Sequence, residues 1–170
     1  MGKEVYEMDR VQNEAWIRML KAGSRVVIMR AGTLVDLQKG VEAIIGDEAS
    51  VVFYEAGMRA GKNSTKVLFD EWEERGREFL KRWGDFYKSA GVGWFKLEEL
   101  DIDSNGNGYI RIKQSFIAEE YGSSDRPVCH FLGGFFVGVL EEILDEKLMC
   151  KQTKCISKGD PYCEFQFEKC

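Results

Sequence analysis

The sequence predicts an α+β protein, with a mostly helical half over residues 1–90 and an antiparallel four-stranded sheet with helices packed against it in residues 91–170. Two observations predict this class. In the first half, apolar residues recur every three or four positions, the period of an amphipathic helix. In the second half the period falls to two in four short segments, as in strands with one buried face. Because helices dominate the first half and the strands fall in the second, we expect a single α+β domain over residues 1–170.

Composition excludes several classes of partner. The chain has 170 residues, of which 31% are charged, and a net charge of −5, so nucleic acid is not an expected partner. No apolar run approaches the roughly 20 residues of a membrane span, and the first residues lack the apolar core of a secretory signal. We therefore expect a cytoplasmic protein without a membrane span.

The helical half begins with three predicted segments. Apolar spacing predicts a helix over residues 5–20, and the β-branched run at 25–30 predicts a strand. Residues 32–61 are predicted to form two helices, because Gly46 interrupts the apolar pattern and acidic residues follow it.

A long amphipathic helix is predicted over residues 63–91, with Ser64 or Thr65 as its N-cap. Its apolar face is rich in aromatic residues. The face comprises Leu68, Phe86 and Tyr87, and three residues that we predict as dimer anchors, Trp72, Phe79 and Trp83. Since the domain must also cover its other helices, we expect this helical half to form a symmetric homodimer interface.

The segment DIDSNGNGYIRI, residues 101–112, combines two signals. The positions that match a calcium-binding EF-hand loop are Asp101, Asp103, Asn105 and Gly106. However, Ile112 replaces the bidentate glutamate, and a strand-like alternation follows in place of a helix. The two Asn-Gly pairs are a strong hairpin signal. We therefore predict a β-hairpin with strands over 94–102 and 109–118 rather than a calcium site.

The rest of the chain predicts a helix followed by a second hairpin. The helix covers residues 128–144 and begins just after Pro127. Alternation returns in residues 146–157, and a last strand is predicted over 162–170, after a polar turn.

The cysteines all lie in the C-terminal part of the chain. They are Cys129, Cys150, Cys155, Cys163 and Cys170. Disulfides are not expected in a cytoplasmic protein, and clustered thiolates favour zinc. Cys155 ends one predicted strand, Cys163 opens the next, and Cys129 lies in the first turn of a helix, so these three can converge on one ion. The alternative is that they are buried small apolar side chains.

Most of the chain resembles the 4-vinyl reductase domain family. The similarity includes the segment YEAGMRAGK at residues 54–62 and a cysteine–glycine pattern in the C-terminal part. The pattern is a cysteine after proline and an apolar residue, two spaced glycines, and then Cys-x3-Gly-Asp-x2-Cys-x-Phe. Its positions here are Cys129, Gly134, Gly138, Cys155, Gly159, Asp160, Cys163 and Phe165.

The resemblance implies a fold shared with TRAPP vesicle-tethering subunits and haem-based nitric oxide sensor domains. It also implies a small hydrophobic or aromatic ligand, and a zinc held by the three cysteines of the pattern and by a glutamate three residues before the second of them. Gln152 occupies the glutamate position. We therefore expect Cys150 to supply the fourth ligand. The alternatives are Gln152, His130, Cys170 and water.

Two elements are candidates for the ligand site. Phe131 and Phe135 lie on the helix that follows the first cysteine, where interleaved glycines either permit close packing or leave room for a ligand. The second strand of the first hairpin is predicted to place Ile112, Gln114 and Phe116 on one face, where Gln114 would orient a polar group of the ligand. The alternative is that all five are core residues.

Several functions are compatible with these features. The first is a sensor or carrier of a small hydrophobic molecule with a structural zinc, whose signal passes through a partner protein. The second is a vinyl-group reductase or its accessory subunit, although the sequence has no dinucleotide or phosphate-binding glycine motif. A third, a TRAPP-like tethering or assembly subunit, rests on the fold alone. We favour the sensor.

Overall fold

The structure is a computed structural model that describes residues 9–10, 17–19, 24–89 and 93–170. It begins with three short strands, β1 (Asp9–Arg10), β2 (Ile17–Met19) and β3 (Ser24–Val26). Three helices follow, α1 (Ala31–Ile45), α2 (Ala49–Glu71) and α3 (Gly76–Ser89). The second half comprises β4 (Lys96–Ile102), β5 (Gly108–Lys113), α4 (Phe116–Tyr121), α5 (His130–Leu144), β6 (Leu148–Lys154) and β7 (Cys163–Lys169). The predicted α+β class is confirmed.

The start of the chain differs from the prediction. The helix predicted over residues 5–20 is wrong at the described positions, because β1 and β2 lie there as paired antiparallel strands, and β2 also pairs with β3. The other positions of that segment lie outside the described residues. The strand predicted at 25–30 is present only as part of β3. A short apolar run fits the helical period and the strand period equally well. Here, pairing with the neighbouring strands supplies hydrogen bonds for the backbone N–H and C=O groups.

The division between α1 and α2 was predicted correctly. Gly46 has a φ of +65° and opens a short 3-10 turn between the two helices. The helix start predicted at Ser64 or Thr65 is wrong, because α2 continues through both residues. The Thr65 hydroxyl donates to the Gly61 carbonyl oxygen one turn earlier, at 2.9 Å. This bond lets a residue that often caps helices remain inside one.

The predicted long helix is therefore divided between α2 and α3. The side chain of Arg75, in the linking segment, donates to the carbonyl oxygens of Phe69, Trp72 and Glu74. The bond to Phe69 satisfies a carbonyl group that the end of α2 leaves without a helical partner, and the other two bonds hold the linking segment.

Two of the three residues predicted as dimer anchors are core residues, whereas the homodimer itself stays a prediction. Phe79 and Trp83 of α3 are both 0% exposed, and Trp72 packs against Phe79 with ring centroids 5.1 Å apart. The chain's own core thus takes up the two central predicted anchors.

The four-stranded antiparallel sheet has the order β4-β5-β7-β6, and both predicted hairpins are confirmed. In the turn between β4 and β5, the Asp103 carboxylate accepts from the backbone N–H groups of Asn105 and Asn107. Gly106 has a φ of +86°, which favours glycine. A strand follows this turn, so the hairpin interpretation of the EF-hand-like segment is correct.

The second strand of the first hairpin ends earlier than the predicted 109–118. Gln114 has a φ of +51°, and the Ser115 hydroxyl accepts a backbone N–H at the start of α4. Gln114 and Phe116 therefore do not share a strand face with Ile112, as we predicted. The serine cap starts a helix at a point where the side-chain alternation alone favours a strand.

Helix α5 lies between α2 and the sheet. Toward the sheet, the rings of Phe136 and Phe165 meet at 5.1 Å. Toward α2, Gly134 and Gly138 face backbone carbonyl groups at a distance that leaves no space for a Cβ atom. These two glycines therefore permit close helix packing and do not make room for a ligand. Within the described part of the chain, no helix has the length and apolarity needed to cross a membrane.

Candidate metal centre and aromatic site

Three of the predicted metal ligands come together where α5 meets the β6–β7 hairpin. Cys129 directly precedes α5, Cys155 follows β6, and Cys163 is the first residue of β7. Each is 0% exposed, and their three sulfur atoms all lie within 4.8 Å of one another.

Polar groups around the sulfur atoms hold this arrangement. The Ser115 hydroxyl lies 3.4 Å from Cys129 Sγ, and the Ile156 backbone N–H donates to Cys163 Sγ at 3.4 Å. The Asp160 carboxylate accepts from the Cys155 backbone N–H at 2.8 Å. The aspartate thus orders the turn that carries the second and third sulfur atoms.

The three sulfur atoms influence one another's ionisation. Hydrogen bonds from the thiols of Cys129 and Cys163 hold the pKa of Cys155 far below its usual value. The pKa of Cys129 is raised, because its proton is held in hydrogen bonds to Cys155 and Cys163 and because the side chain is buried. The geometry therefore favours a thiolate at Cys155, the form in which cysteine binds metals.

One sulfur–sulfur distance agrees with the geometry of a tetrahedral zinc centre. Zinc–sulfur bonds of about 2.3 Å place two sulfur ligands about 3.8 Å apart, and the Sγ atoms of Cys129 and Cys163 lie 3.9 Å apart. Soft, buried thiolates are the donors that zinc prefers. The three buried cysteines are thus positioned to bind a metal ion, and their donor chemistry fits zinc.

The candidates for a fourth ligand lie in different places. Cys150, on β6, lies outside the group of three. Its sulfur atom faces Gly133 of α5, where an added Cβ would lie 3.7 Å from it. Burial raises the pKa of the Cys150 thiol. Gln152 is closer to the centre, because its Oε1 accepts from the Cys129 backbone N–H at 3.2 Å. Cys170 is exposed. His130 and Gln152 line a cleft of about 370 Å³ together with Glu42, Gly46, Asp47, Ser50, Arg126, Pro127, Cys150 and Lys151.

Three predicted ligand-site residues surround one aromatic ring. Trp94 packs against Phe131, Phe135 and Phe116, with ring centroids 5.7, 5.3 and 6.3 Å apart. Phe116 joins this cluster from α4 rather than from a strand. Ile112 is fully buried in β5.

Gln114, the fifth predicted residue, is exposed and lies at a different point. It lines a cleft of about 270 Å³ with Tyr87, Lys88, Ser89, Gly93, Phe95 and Lys96. The rings of Tyr87 and Phe95 are stacked there at 5.0 Å, with an interplanar angle of 9°. The positive φ of Gln114 is uncommon for a residue other than glycine and marks a strained position at the cleft.

Trp83, which we predicted as a dimer anchor, is a core residue. Its side chain is buried, and its indole Nε1 has no hydrogen-bond partner among the described residues. The ring lies 4.4 Å from that of Tyr87, which also lines the cleft. A buried indole N–H usually has an acceptor. The aromatic run in α3 signalled a core position, but no sequence signal indicated an unpaired donor.

Comparisons with known proteins place the chain in a family. The profile of the 4-vinyl reductase domain matches residues 109–169. An uncharacterized protein of Methanocaldococcus jannaschii is 31% identical over 125 residues, which cover 74% of this chain and 68% of that protein. The phenol regulator MopR of Acinetobacter guillouiae is 24% identical over 152 residues, which cover 82% of this chain. The region that matches MopR covers 27% of the length of MopR. The region that matches another M. jannaschii protein covers 66% of the length of that protein.

Solved structures confirm the fold. The phenol-responsive sensory domain of the transcription activator PoxR, solved with phenol, has a TM-score of 0.77 and 17% identity, and the match covers 95% of this chain and 84% of that domain. TRAPP complex subunit 3 of Naegleria fowleri, covalently bound to palmitic acid, has a TM-score of 0.59 and 14% identity, with 82% and 95% covered. The sequence matches and the shared fold together lead to one conclusion: the chain belongs to the 4-vinyl reductase domain family.

Proposed function

We propose that this chain is a sensor module for a small aromatic molecule that carries one hydrogen-bond-accepting oxygen. The observation that carries the proposal is the indole N–H of Trp83, which is buried in a cluster of aromatic rings and has no hydrogen-bond partner among the described residues. A buried donor without an acceptor costs about 1–3 kcal/mol, and a ligand oxygen would remove that cost. The phenol-responsive PoxR domain, which shares the fold, supports this class of ligand.

The aromatic cluster supplies the apolar part of the proposed site. Tyr87 contacts Trp83 and also lines the cleft beside Phe95, so a ligand that displaces the Tyr87–Phe95 stack would reach the indole N–H. The cleft of about 270 Å³ is near the lower limit for small-molecule sites, about 300 Å³. This size favours a single-ring ligand.

The residues predicted from the sequence take specific roles in this proposal. Gln114, which lines the cleft, would accept a hydrogen bond from the polar group of the ligand or donate one to it. Phe135, whose ring centroid lies 6.5 Å from that of Tyr87, would extend the apolar surroundings of the ligand, with Ile112, Phe116 and Phe131 in the core behind the cleft.

The metal centre has a structural role in the proposal. Cys129, Cys155 and Cys163 would bind one zinc ion, with the amide oxygen of Gln152 or a water molecule completing the tetrahedron. When bound, the ion would tie the β6–β7 hairpin to the start of α5, which stabilises the fold and supplies no catalytic step. Cysteine side chains stay reduced in the cytoplasm and so remain available to bind a metal. In that compartment the module would pass its signal to a partner protein.

The test compares phenol with benzene by calorimetry. Phenol should bind the wild type at least about tenfold more tightly than benzene, equivalent to about 1.4 kcal/mol for the added hydrogen bond. Trp83→Phe should abolish this preference and keep benzene binding, which shows that the site is still formed. The matched control is Trp72→Phe, in the partly buried aromatic cluster at the end of α2, and it should keep the preference. Equal affinities for phenol and benzene in the wild type, or no binding of either, would overturn the proposal.

A further inference from the structure

A groove with a positive lining lies between α3 and β4, the edge strand of the sheet. Its volume is about 210 Å³. The side chains that define this basic groove are the cations Arg77, Lys81 and Lys88 and the apolar Leu80, Leu100 and Ile102. The only acidic residue of the lining is Asp85, although the whole chain has a net charge of −5. Positive charge is therefore concentrated here against the sign of the protein.

The three cations lie on one face of α3 because of their spacing. At 100° per residue, Arg77, Lys81 and Lys88 fall within about 40° of one another around the helix axis. Gly84 belongs to the same stripe, and a Cβ atom there would lie 3.0 Å from Leu100 Cδ2. The glycine thus allows β4 to approach the helix closely, so that cations and apolar side chains line one continuous groove.

The positions of these cations are unfavourable for α3 by itself. Arg77 lies in the first turn, where the helix dipole repels a positive charge, and Lys81 follows at the four-residue spacing at which like charges repel. Glu78, the acid of that turn, lines a different cleft. Within the described part of the chain, no ion pair involves Arg77, Lys81 or Lys88. An anionic partner would therefore relieve a repulsion that the chain leaves unbalanced.

We propose that the basic groove docks an acidic, extended segment of a partner protein. Its acidic side chains pair with the three cations, and one apolar side chain enters the groove between them. Arg77 and Lys88 are about 16 Å apart along the helix, a distance that about five extended residues span. Since β4 is an edge strand, its backbone can add hydrogen bonds to such a segment.

The depth of the apolar side chains favours a peptide over a lipid surface. Leu80 and Ile102 are only 7% and 9% exposed, whereas Arg77, Lys81 and Lys88 are exposed. A single side chain can enter between the cations and reach the apolar residues. The surface of a bilayer is too broad to do so, and a small inorganic anion would leave them uncovered.

The basic groove is connected to the proposed ligand site through Lys88. This residue also lines the cleft that contains Tyr87 and Phe95, and Trp83 lies on the buried face of the same helix. A ligand that shifts α3 would therefore change the groove as well. The role of the groove as the output surface of a sensor rests on the proposed function, whereas docking of the acidic segment does not.

Fluorescence anisotropy at physiological salt tests the docking with a labelled peptide of sequence DEDLDED and without any aromatic ligand. The wild type should bind this peptide, and Arg77→Glu with Lys81→Glu should weaken binding at least about tenfold. The matched control is Arg59→Glu with Lys151→Glu, which changes the net charge equally at two exposed positions outside the groove. Because salt screens distant charges, the control should stay within about threefold of the wild type. Absence of binding at millimolar peptide, or equal affinities of the two double variants, would overturn the proposal.

A second peptide, DEDSDED, tests the apolar contact. It should bind the wild type about tenfold more weakly, because serine leaves Leu80, Leu100 and Ile102 uncovered. Vesicles of phosphatidylserine should not compete with the first peptide. Equal binding of both peptides would indicate a general anion site, and competition by vesicles would indicate a membrane surface, so either result would overturn the proposal. Since no aromatic ligand is present, these failures are distinct from a failure of the proposed phenol site.

Discussion

Gly134 of α5 lies directly against the backbone carbonyl oxygen of Tyr54 in α2, so close that a Cβ atom would overlap it. Gly138 meets the Met58 carbonyl in the same way one turn later, and Gly57 of α2 meets the Phe131 carbonyl of α5 from the other side. Glycines on both helices thus let the two backbones touch. This contact positions α5, whose first turn adjoins the three buried cysteines.

Replacement of Gly134 by alanine should destabilise the fold by about 1–3 kcal/mol, because the added methyl group must separate α2 from α5. The matched control is its neighbour, Gly133→Ala. A Cβ there makes ordinary contacts of 3.7 Å with Cys150 and Phe165, so alanine should be neutral or stabilising by up to about 1 kcal/mol through its better helix propensity. Urea denaturation measures both. Similar losses in the two variants would contradict the close contact.

The sheet and its turns were predictable because their signals are local. The alternating segments and the Asn-Gly pairs around Gly106 specify a hairpin within a dozen residues. The helix boundaries were harder, because Thr65 resembles a cap in sequence and becomes an interior residue only through its bond to Gly61. Tertiary context, rather than the local residue type, determines such positions.

The residues of the candidate sites were also predictable only where a local sequence signal exists. The three clustered cysteines were predicted from their places at strand and helix ends. Cys150 was not distinguishable from them in sequence, because only the path of β6 turns its sulfur toward Gly133. The missing acceptor of Trp83 depends on the packing of α3 against Tyr87 and Phe136, a long-range arrangement that helical periodicity does not specify.

Loss of one sulfur ligand should release the metal. Cys163→Ser should contain no zinc and should melt at a lower temperature than the wild type, because structural zinc contributes directly to folding. Cys150→Ser and Cys170→Ser should each keep one zinc per chain, since neither sulfur atom belongs to the group of three. Elemental analysis of the purified variants measures this. Full zinc content in Cys163→Ser would rule out the proposed centre, and its loss in Cys150→Ser would reassign the fourth ligand.

Calcium should have no effect on this protein, because the Asp103 carboxylate already accepts hydrogen bonds within its own turn. Thermal melting in millimolar calcium should match melting in a chelator. Asp103→Ala should lower the melting temperature through loss of the turn, and Asp101→Ala, an exposed neighbour, should change it little. A calcium-dependent rise in melting temperature that Asp103→Ala abolishes would restore the binding-loop interpretation.

Glu164 should make the fold sensitive to acid. Burial alone would raise the pKa of Glu164, but hydrogen bonds from Arg111 and Thr153 hold it below its usual value near 4.5. Such a carboxylate adds stability above the unfolded-state pKa, and the contribution is lost as the pH falls through the lower folded-state pKa.

Glu164→Gln should therefore cost about 1–3 kcal/mol at neutral pH, and its unfolding free energy should decline less than that of the wild type as the pH falls below about 4.5. Urea denaturation across this range provides the measurement, with the exposed Glu168→Gln on the same strand as the control. Parallel pH profiles for Glu164→Gln and the wild type would contradict the assignment.

The indole N–H of Trp83, which has no partner among the described residues, gives the most direct test of the proposed function. In a proton–nitrogen spectrum of the indole groups, the Trp83 signal is identified by its absence in Trp83→Phe. Phenol should move this proton signal downfield as the ligand oxygen accepts its hydrogen bond, whereas benzene should leave it without a downfield shift. A Trp83 signal that stays unchanged when phenol is saturating would contradict the account.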